Sequence, residues 1–255
     1  MAEFFTSLAS SILKQLFTKG IGKVWDNKGV FSLYLKTLFG SYRKKRIRFS
    51  ISYLFRIRIP DSNSYLLVMN RRIENQLQPV GGSYKRYGDD KLFESWGYRP
   101  DSSKNGLGID TVSENDLRFT VDGKHVIKVI KWFEEGKERE CSAEREFREE
   151  LVDTGILEKM HFEKIKYRHL TRESRHLKWS EHHQCYEVLI YDIFELLPTN
   201  EQKEVLCKLK TEPLKLNNGY AIVECEDVEQ LRLVRHGLQI AKIGEHTKLL
   251  INSKN

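Results

Sequence analysis

The chain lacks most of what would anchor or staple a protein. No apolar run approaches the roughly 18 residues that a bilayer-spanning helix needs, so a conventional spanning helix is not expected. Residues 1–17 have no basic leading region, and Glu3 stands almost at the start, so no secretory signal is read there. The four cysteines, Cys141, Cys185, Cys207 and Cys225, include no Cys-x-x-Cys pair. Scattered single thiols predict a reducing, cytoplasmic setting with buried sulfurs rather than a disulfide frame. His182, His183 and Cys185 stand close together, but no second ligand pair follows at zinc-site spacing. Aromatic–basic repeats of the kind that read RNA are missing, so no sequence-specific nucleic acid partner is expected. Internal repeats and low-complexity tracts are absent too.

What remains suits one large domain with an appendage: 255 residues, of which 40% are apolar and 11% aromatic. The charged fraction of 31% is mixed in sign, which argues against disorder. A net charge of +7 favours polyanionic partners: nucleotides, nucleic acid or an anionic membrane surface.

Residues 1–45 read as an N-terminal amphipathic helical appendage. Phe4, Phe5, Leu8, Ile12, Leu13 and Leu16 fall at helical spacing, and a second helix is predicted over Val30–Phe39, ending at Gly40. Arg43, Lys44, Lys45, Arg46 and Arg48 then make a basic run. This combination fits peripheral attachment to an anionic inner-membrane surface through residues 1–48, or self-association into a homo-oligomer. The other reading is that the helices pack on the domain and the basic run is a solvated connector.

From residue 46 to 255 the pattern is that of one domain. Phe49, Ile51, Tyr53, Phe55, Ile57 and Ile59 alternate with Arg48, Ser50, Ser52, Leu54, Arg56 and Arg58, the cleanest period-two strand in the chain. Residues 101–108 read as a loop. Asp122-Gly123 between two apolar runs predicts a hairpin joining 117–121 to 125–133. Strands are expected over 162–173, 184–196 and 219–224. Thr199 and Gln202 fit a capping box that opens a helix, and closing helices are expected over 227–234 and 244–251.

The most informative stretch is Ala143 to Val152. It sets Glu146, Glu149 and Glu150 at i, i+3 and i+4, so the three carboxylates share one helix face. Ala143, Phe147 and Leu151 form an apolar stripe beside it, with Ser142 as N-cap and Gly155 just past the end. Like charges so placed repel, which packing does not require, whereas hard cations such as Mg²⁺ take clustered carboxylates. The bland reading is a solvated face laced by Arg145–Glu149 and Arg148–Glu144 pairs.

The order Arg145-Glu146-Phe147-Arg148-Glu149-Glu150 resembles the core of the Nudix box, R-E-U-x-E-E, with Phe in place of the aliphatic residue. Residues 65–72 resemble the early Nudix strand, Gln78-Pro79-Val80-Gly81-Gly82 its Pro-Gly-Gly loop, and 185–197 a later core strand. The resemblance implies a mixed-sheet α/β/α sandwich. It also implies Mg²⁺ or Mn²⁺ held by Glu146, Glu149 and Glu150, with Glu146 sharing the metal or taking a proton. Arg145 would orient a glutamate, and Gly81 and Gly82 would let the backbone approach the helix. The departures are specific. Gly82 and Arg145 lie 63 positions apart, so about residues 83–140 read as an insertion, and Lys137 stands where the box has an acid. Leu151 to Thr154 separate Glu150 from its glycine, so the helix is expected to lengthen without turning its acidic face far.

Together these departures resemble the CD-NTase-associated (SMODS-associated) Nudix branch of bacterial CBASS antiphage systems. That resemblance implies an effector that senses a cyclic oligonucleotide in a carboxylate and Mg²⁺ pocket and signals through its N-terminal helices. The alternative is an active Mg²⁺-dependent hydrolase of nucleoside diphosphate derivatives, and a third possibility is a scaffold that lost both roles. Fold does not choose among them.

Overall fold

The computed structural model describes residues 27–88, 91–101, 115–212, 214 and 216–252. The helix predicted over 3–17 and the loop residues 102–108 lie outside these described residues.

In chain order the elements are α1 (Asn27–Leu38), β1 (Arg46–Arg56), β2 (Ser64–Met69), β3 (Gln76–Gln78), β4 (Gly81–Ser83), α2 (Lys91–Glu94), β5 (Arg99–Pro100), β6 (Arg118–Asp122), α3 (Val126–Glu135), α4 (Glu144–Phe147), α5 (Lys159–Phe162), β7 (Tyr167–Ser180), β8 (Cys185–Leu196), α6 (Asn200–Thr211), β9 (Tyr220–Glu224), α7 (Cys225–Gln230), β10 (Arg232–Arg235), β11 (Leu238–Ile243) and α8 (Lys248–Asn252). One sheet runs β5-β6-β1-β8-β7, with β4 also on β1, and a second runs β10-β11-β3-β2-β9. The β11–β3 pair is parallel while β2 pairs antiparallel with both neighbours, so the fold is α/β with a mixed sheet. Contacts divide the chain into two compact units, and the dividing points fall within β1, β4, β7 and β8 and between Cys141 and Ser142.

The first unit takes residues 1–51, 83–141 and 174–190, so the long insertion supplies much of it. β6 pairs antiparallel with the start of β1, from Arg46↔Asp122 to Ser50↔Arg118. The hairpin expected after Asp122-Gly123 does not form, because residues 126–135 are helical. Val126, Val129, Ile130 and Phe133, at i, i+3, i+4 and i+7, are all buried, so burial of one helix face overrides the β preference of a β-branched run. α1 packs against α3. The Gly123 and Lys124 N–H groups donate to the carbonyls of Lys45 (2.8 Å) and Arg43 (3.1 Å). Residues 27–45 are therefore woven into this unit rather than standing apart from it. The basic run is also largely engaged: Arg46 binds Asp122 and Thr120, and Lys45 lies over the rings of Tyr42 and Tyr186.

Alternation along β1 predicts one wet face, yet both faces are covered. Arg48 and Ser50 are buried, and Arg48 holds Asp101 at 2.7 Å and Glu187 at 3.0 Å.

The second unit takes residues 52–82, 142–173 and 191–255. Its core gathers Leu54, Tyr65, Leu67, Leu77, Ile193 and Val223 around β2, which is flanked by β3 and β9. The Thr199–Gln202 capping box forms as expected at the start of α6. The helix expected over 227–234 stops at Gln230, where Leu231 adopts φ +57°. β10 and β11 then pair across His236-Gly237, both at positive φ, a tight hairpin that the sequence reading missed. The expectation of buried thiols fails: Cys141 and Cys207 are exposed, Cys185 and Cys225 are half-buried, and all four are free. Among the described residues no helix is long and apolar enough to cross a membrane.

Candidate functional site

The acidic helix lies wholly in the second unit. Its apolar stripe docks as the spacing predicts, with Ala143, Phe147 and Leu151 buried and Phe147 edge-on to Phe55. Ala143 rather than Ser142 takes the capping position, while the Ser142 hydroxyl accepts the Glu144 N–H at 3.2 Å. The expected α-helical extension does not occur. From Arg148 to Val152 the helix widens to a π turn, and the Asp153 N–H donates to the Arg148 carbonyl five residues back. The π turn takes in Leu151 and Val152, and Asp153 and Thr154 follow as a turn closed by the Gly155 N–H on the Val152 carbonyl at 3.0 Å.

The glycine loop meets the helix through backbone. Gly81 has φ +146°, and a Cβ there would collide with the Tyr53 carbonyl. A Cβ on Gly82 would collide with the Glu146 carboxylate as it is placed here, so the missing side chain leaves room for that carboxylate beside the loop. The Gly81 N–H donates to Glu150 Oε2 at 2.9 Å, and Gln78 Nε2 reaches Glu150 Oε1 at 3.5 Å.

The three carboxylates are held differently. Arg145 Nη1 lies 2.7 Å from Glu146 Oε1 and 3.3 Å from Glu149 Oε2, so one guanidinium bridges both. The Glu146 N–H donates to the Tyr53 hydroxyl at 3.3 Å. Arg71 donates to the Glu149 backbone carbonyl at 3.1 Å. Glu150 is only 8% exposed and has no ion-pair partner among the described residues. Burial, reinforced by the Glu146 charge, pushes its carboxyl up to about 7, against the opposing pull of the Gly81 N–H, Arg71 and Gln78. The structure thus brings Glu146 and Glu150 to adjacent glycines and ties Glu149 to Arg145. Among the described residues no three His, Cys, Asp or Glu side chains form a ready-made metal cage.

Three contributors escaped the sequence reading: Tyr53, Arg71 and Gln78. Gln78 stands in the quoted Pro-Gly-Gly stretch and was within reach. Tyr53 carried no signal beyond its place in β1, and Arg71 none beyond its place just after β2.

Gly82→Ala is expected to drive Glu146 from its place and to destabilise the protein by about 1–3 kcal/mol, the usual cost of overpacking. Urea unfolding checks this, and an unchanged midpoint means that Glu146 swings aside freely.

An acidic helix packed through glycines, in an α/β fold with a mixed sheet, defines a Nudix-type domain. More narrowly, residues 46–251 match the model of the SMODS-associated NUDIX domain. The chain belongs to that family, a Nudix-like domain associated with CD-NTase (CBASS) systems. No curated protein and no solved structure matches the chain.

Proposed function

We propose that the second unit senses a cyclic oligonucleotide at the Glu146–Glu150 face, where Glu146, Glu149 and Glu150 would hold a divalent cation, as part of a bacterial antiviral effector. Occupancy is reported as a change in self-association or membrane attachment of the N-terminal segment. The observation that carries this is Glu150, a buried carboxylate with no ion-pair partner among the described residues. Such a group calls for a proton or a cation. The donor chemistry suits Mg²⁺ or Mn²⁺: Glu146, Glu149 and Glu150 offer hard oxygens along the same short stretch of helix, while not forming a ready-made cage, and Mg²⁺ commonly takes one or two carboxylates with substrate phosphates and water. Such an ion would supply neutralisation of phosphate charge and a more acidic water.

The chain's own groups do the rest. Arg145 holds Glu146 and Glu149 together, so both carboxylates keep one orientation. Gly81 and Gln78 orient Glu150. Bare carboxylates would repel an oligonucleotide, which makes cation and ligand binding interdependent.

Glu150 also favours a second reading, hydrolysis of a nucleoside diphosphate derivative. A carboxyl poised at about 7 is suited to accept a proton from an attacking water. Cyclic oligonucleotides lack a pyrophosphate bond, so the two readings need different ligands.

One experiment separates them. The full chain is offered cyclic di- and trinucleotides and linear nucleoside diphosphate derivatives, with Mg²⁺ or with chelator. Thermal shift, light-scattering mass and product chromatography are then measured. The expected result is binding of a cyclic nucleotide and a change of assembly, with the ligand recovered intact. Steady Mg²⁺-dependent turnover of a linear diphosphate without cyclic-nucleotide binding overturns the sensor in favour of the hydrolase.

A further inference from the structure

The loop between β2 and β3 is built as if it belongs to the carboxylate site. It leaves β2 at Asn70, whose N–H donates to the Gln76 carbonyl at 2.7 Å and closes the hairpin. The Asn70 side chain is used at both ends. Its Oδ1 accepts the N–H groups of Arg72 (2.7 Å) and Ile73 (2.9 Å), which folds the tip into a turn. Its Nδ2 donates to Gln78 Oε1 at 2.7 Å. Gln78 in turn offers Nε2 to Glu150 Oε1. An amide has one acceptor and one donor end, so a fixed donor at one end fixes which end faces Glu150. Because Asn70 presents its NH₂ to the Gln78 oxygen, Gln78 must present its own NH₂ to the carboxylate.

The tip also reaches the acidic helix directly, through Arg71 to the Glu149 carbonyl at 3.1 Å, and is otherwise solvent-facing. Arg71, Arg72 and Ile73 are exposed, and Ile73, an apolar residue, is 50% exposed. A solvent-facing tip tied by two side-chain amides to a buried carboxylate is more than a hairpin needs.

We propose that Asn70 and Gln78 are positioning residues that couple the Arg71–Ile73 tip to Glu150, so that the order of the tip and the cation affinity of Glu150 rise and fall together. The coupling rests on the reading of Glu150 as a cation-binding carboxylate. It adds that the exposed tip is the part of the unit that registers whether Glu150 is engaged.

The test uses the full chain, Mn²⁺ alone as the probe of Glu150, and trypsin as the probe of the tip, cutting after Arg71 and Arg72. Free Mn²⁺ is read by electron paramagnetic resonance, and the cut peptides by mass spectrometry. Gln78→Leu is expected to weaken Mn²⁺ binding by about 10-fold, the usual effect of removing a group that orients a metal ligand. It should also speed cleavage of the tip, although Gln78 does not touch Arg72 or Ile73. Asn70→Asp keeps the acceptor for the Arg72 and Ile73 N–H groups but loses the donor to Gln78. It breaks the same link, so it should weaken Mn²⁺ binding and speed cutting of the tip as Gln78→Leu does, with the urea midpoint of the chain close to wild type, which general unfolding would not give. Unchanged Mn²⁺ affinity in both variants overturns the coupling. If the wild-type protein takes up no Mn²⁺, the cation reading fails instead, and the coupling is decided by cleavage alone. Faster cutting in Glu150→Ala and Gln78→Leu then supports it, and cutting at the wild-type rate in both overturns it.

Discussion

Glu150→Gln is expected to stabilise the cation-free protein above pH 7 and to abolish its response to Mg²⁺. The reason lies in how Glu150 titrates. Its carboxyl is raised from 4.5 to about 7 in the folded protein, chiefly by burial. Below about pH 4.5 the group is protonated whether the chain is folded or not, and it costs nothing. Between about 4.5 and 7 the unfolded chain has released the proton while the folded one keeps it, so stability falls as pH rises. Above about 7 the folded protein carries a buried charge, and a shift of this size corresponds to about 3 kcal/mol. A neutral glutamine removes that slope and retains an acceptor for the Gly81 N–H. A cation that binds only the folded state works in the opposite direction, stabilising the wild type more strongly as pH rises. Urea midpoints for both proteins from pH 5 to 8.5, with Mg²⁺ or chelator, provide the check. A wild-type stability that does not fall across this window would show that Glu150 is not held as an isolated buried acid. A glutamine variant that still gains stability from Mg²⁺ would place the cation elsewhere.

Arg48→Met is expected to be the most destabilising single change in the first unit. Arg48 is nearly inaccessible and joins two carboxylates, Glu187 through Nη1 and Asp101 through Nε and Nη2. Removing it leaves Glu187 buried without its cation, and breaking such a pair costs about 3–5 kcal/mol. Guanidinium chloride unfolding measures the loss, and adding Glu187→Gln should recover part of it by removing the stranded charge. A midpoint within error of wild type would mean that solvent reaches Glu187 and the pair contributes little. The same substitution should leave cation binding at Glu150 unchanged, since none of Glu150's hydrogen bonds involves Arg48 or its partners.

How much was legible follows from the distance over which each feature is decided. The acidic helix, its apolar stripe and the glycine loop could be read directly, because their residue types recur at fixed short spacings. The Thr199–Gln202 capping box was legible for the same reason: both partners lie within one turn. The segment 125–133 was misread because its β-branched residues satisfy a strand locally, and only the core decides that one face of a helix is buried there. Arg48 read as part of a basic run, for a membrane surface or for solvent, and as one alternating position of β1, since its partners lie 53 and 139 residues away.

The sequence by itself determined the family, the mixed α/β class and the candidate carboxylates, because side-chain periodicity and motif order are local properties of the chain. Only the tertiary structure decided what those carboxylates are. The Gly81 N–H that holds Glu150 lies 69 residues away from it. The burial that raises its carboxyl comes from elements that fold around it, and the helix that carries it widens to a π turn rather than lengthening as an α-helix. A group's charge state depends on the polarity and charge immediately around it in space, and sequence spacing carries no information about that until the chain has folded.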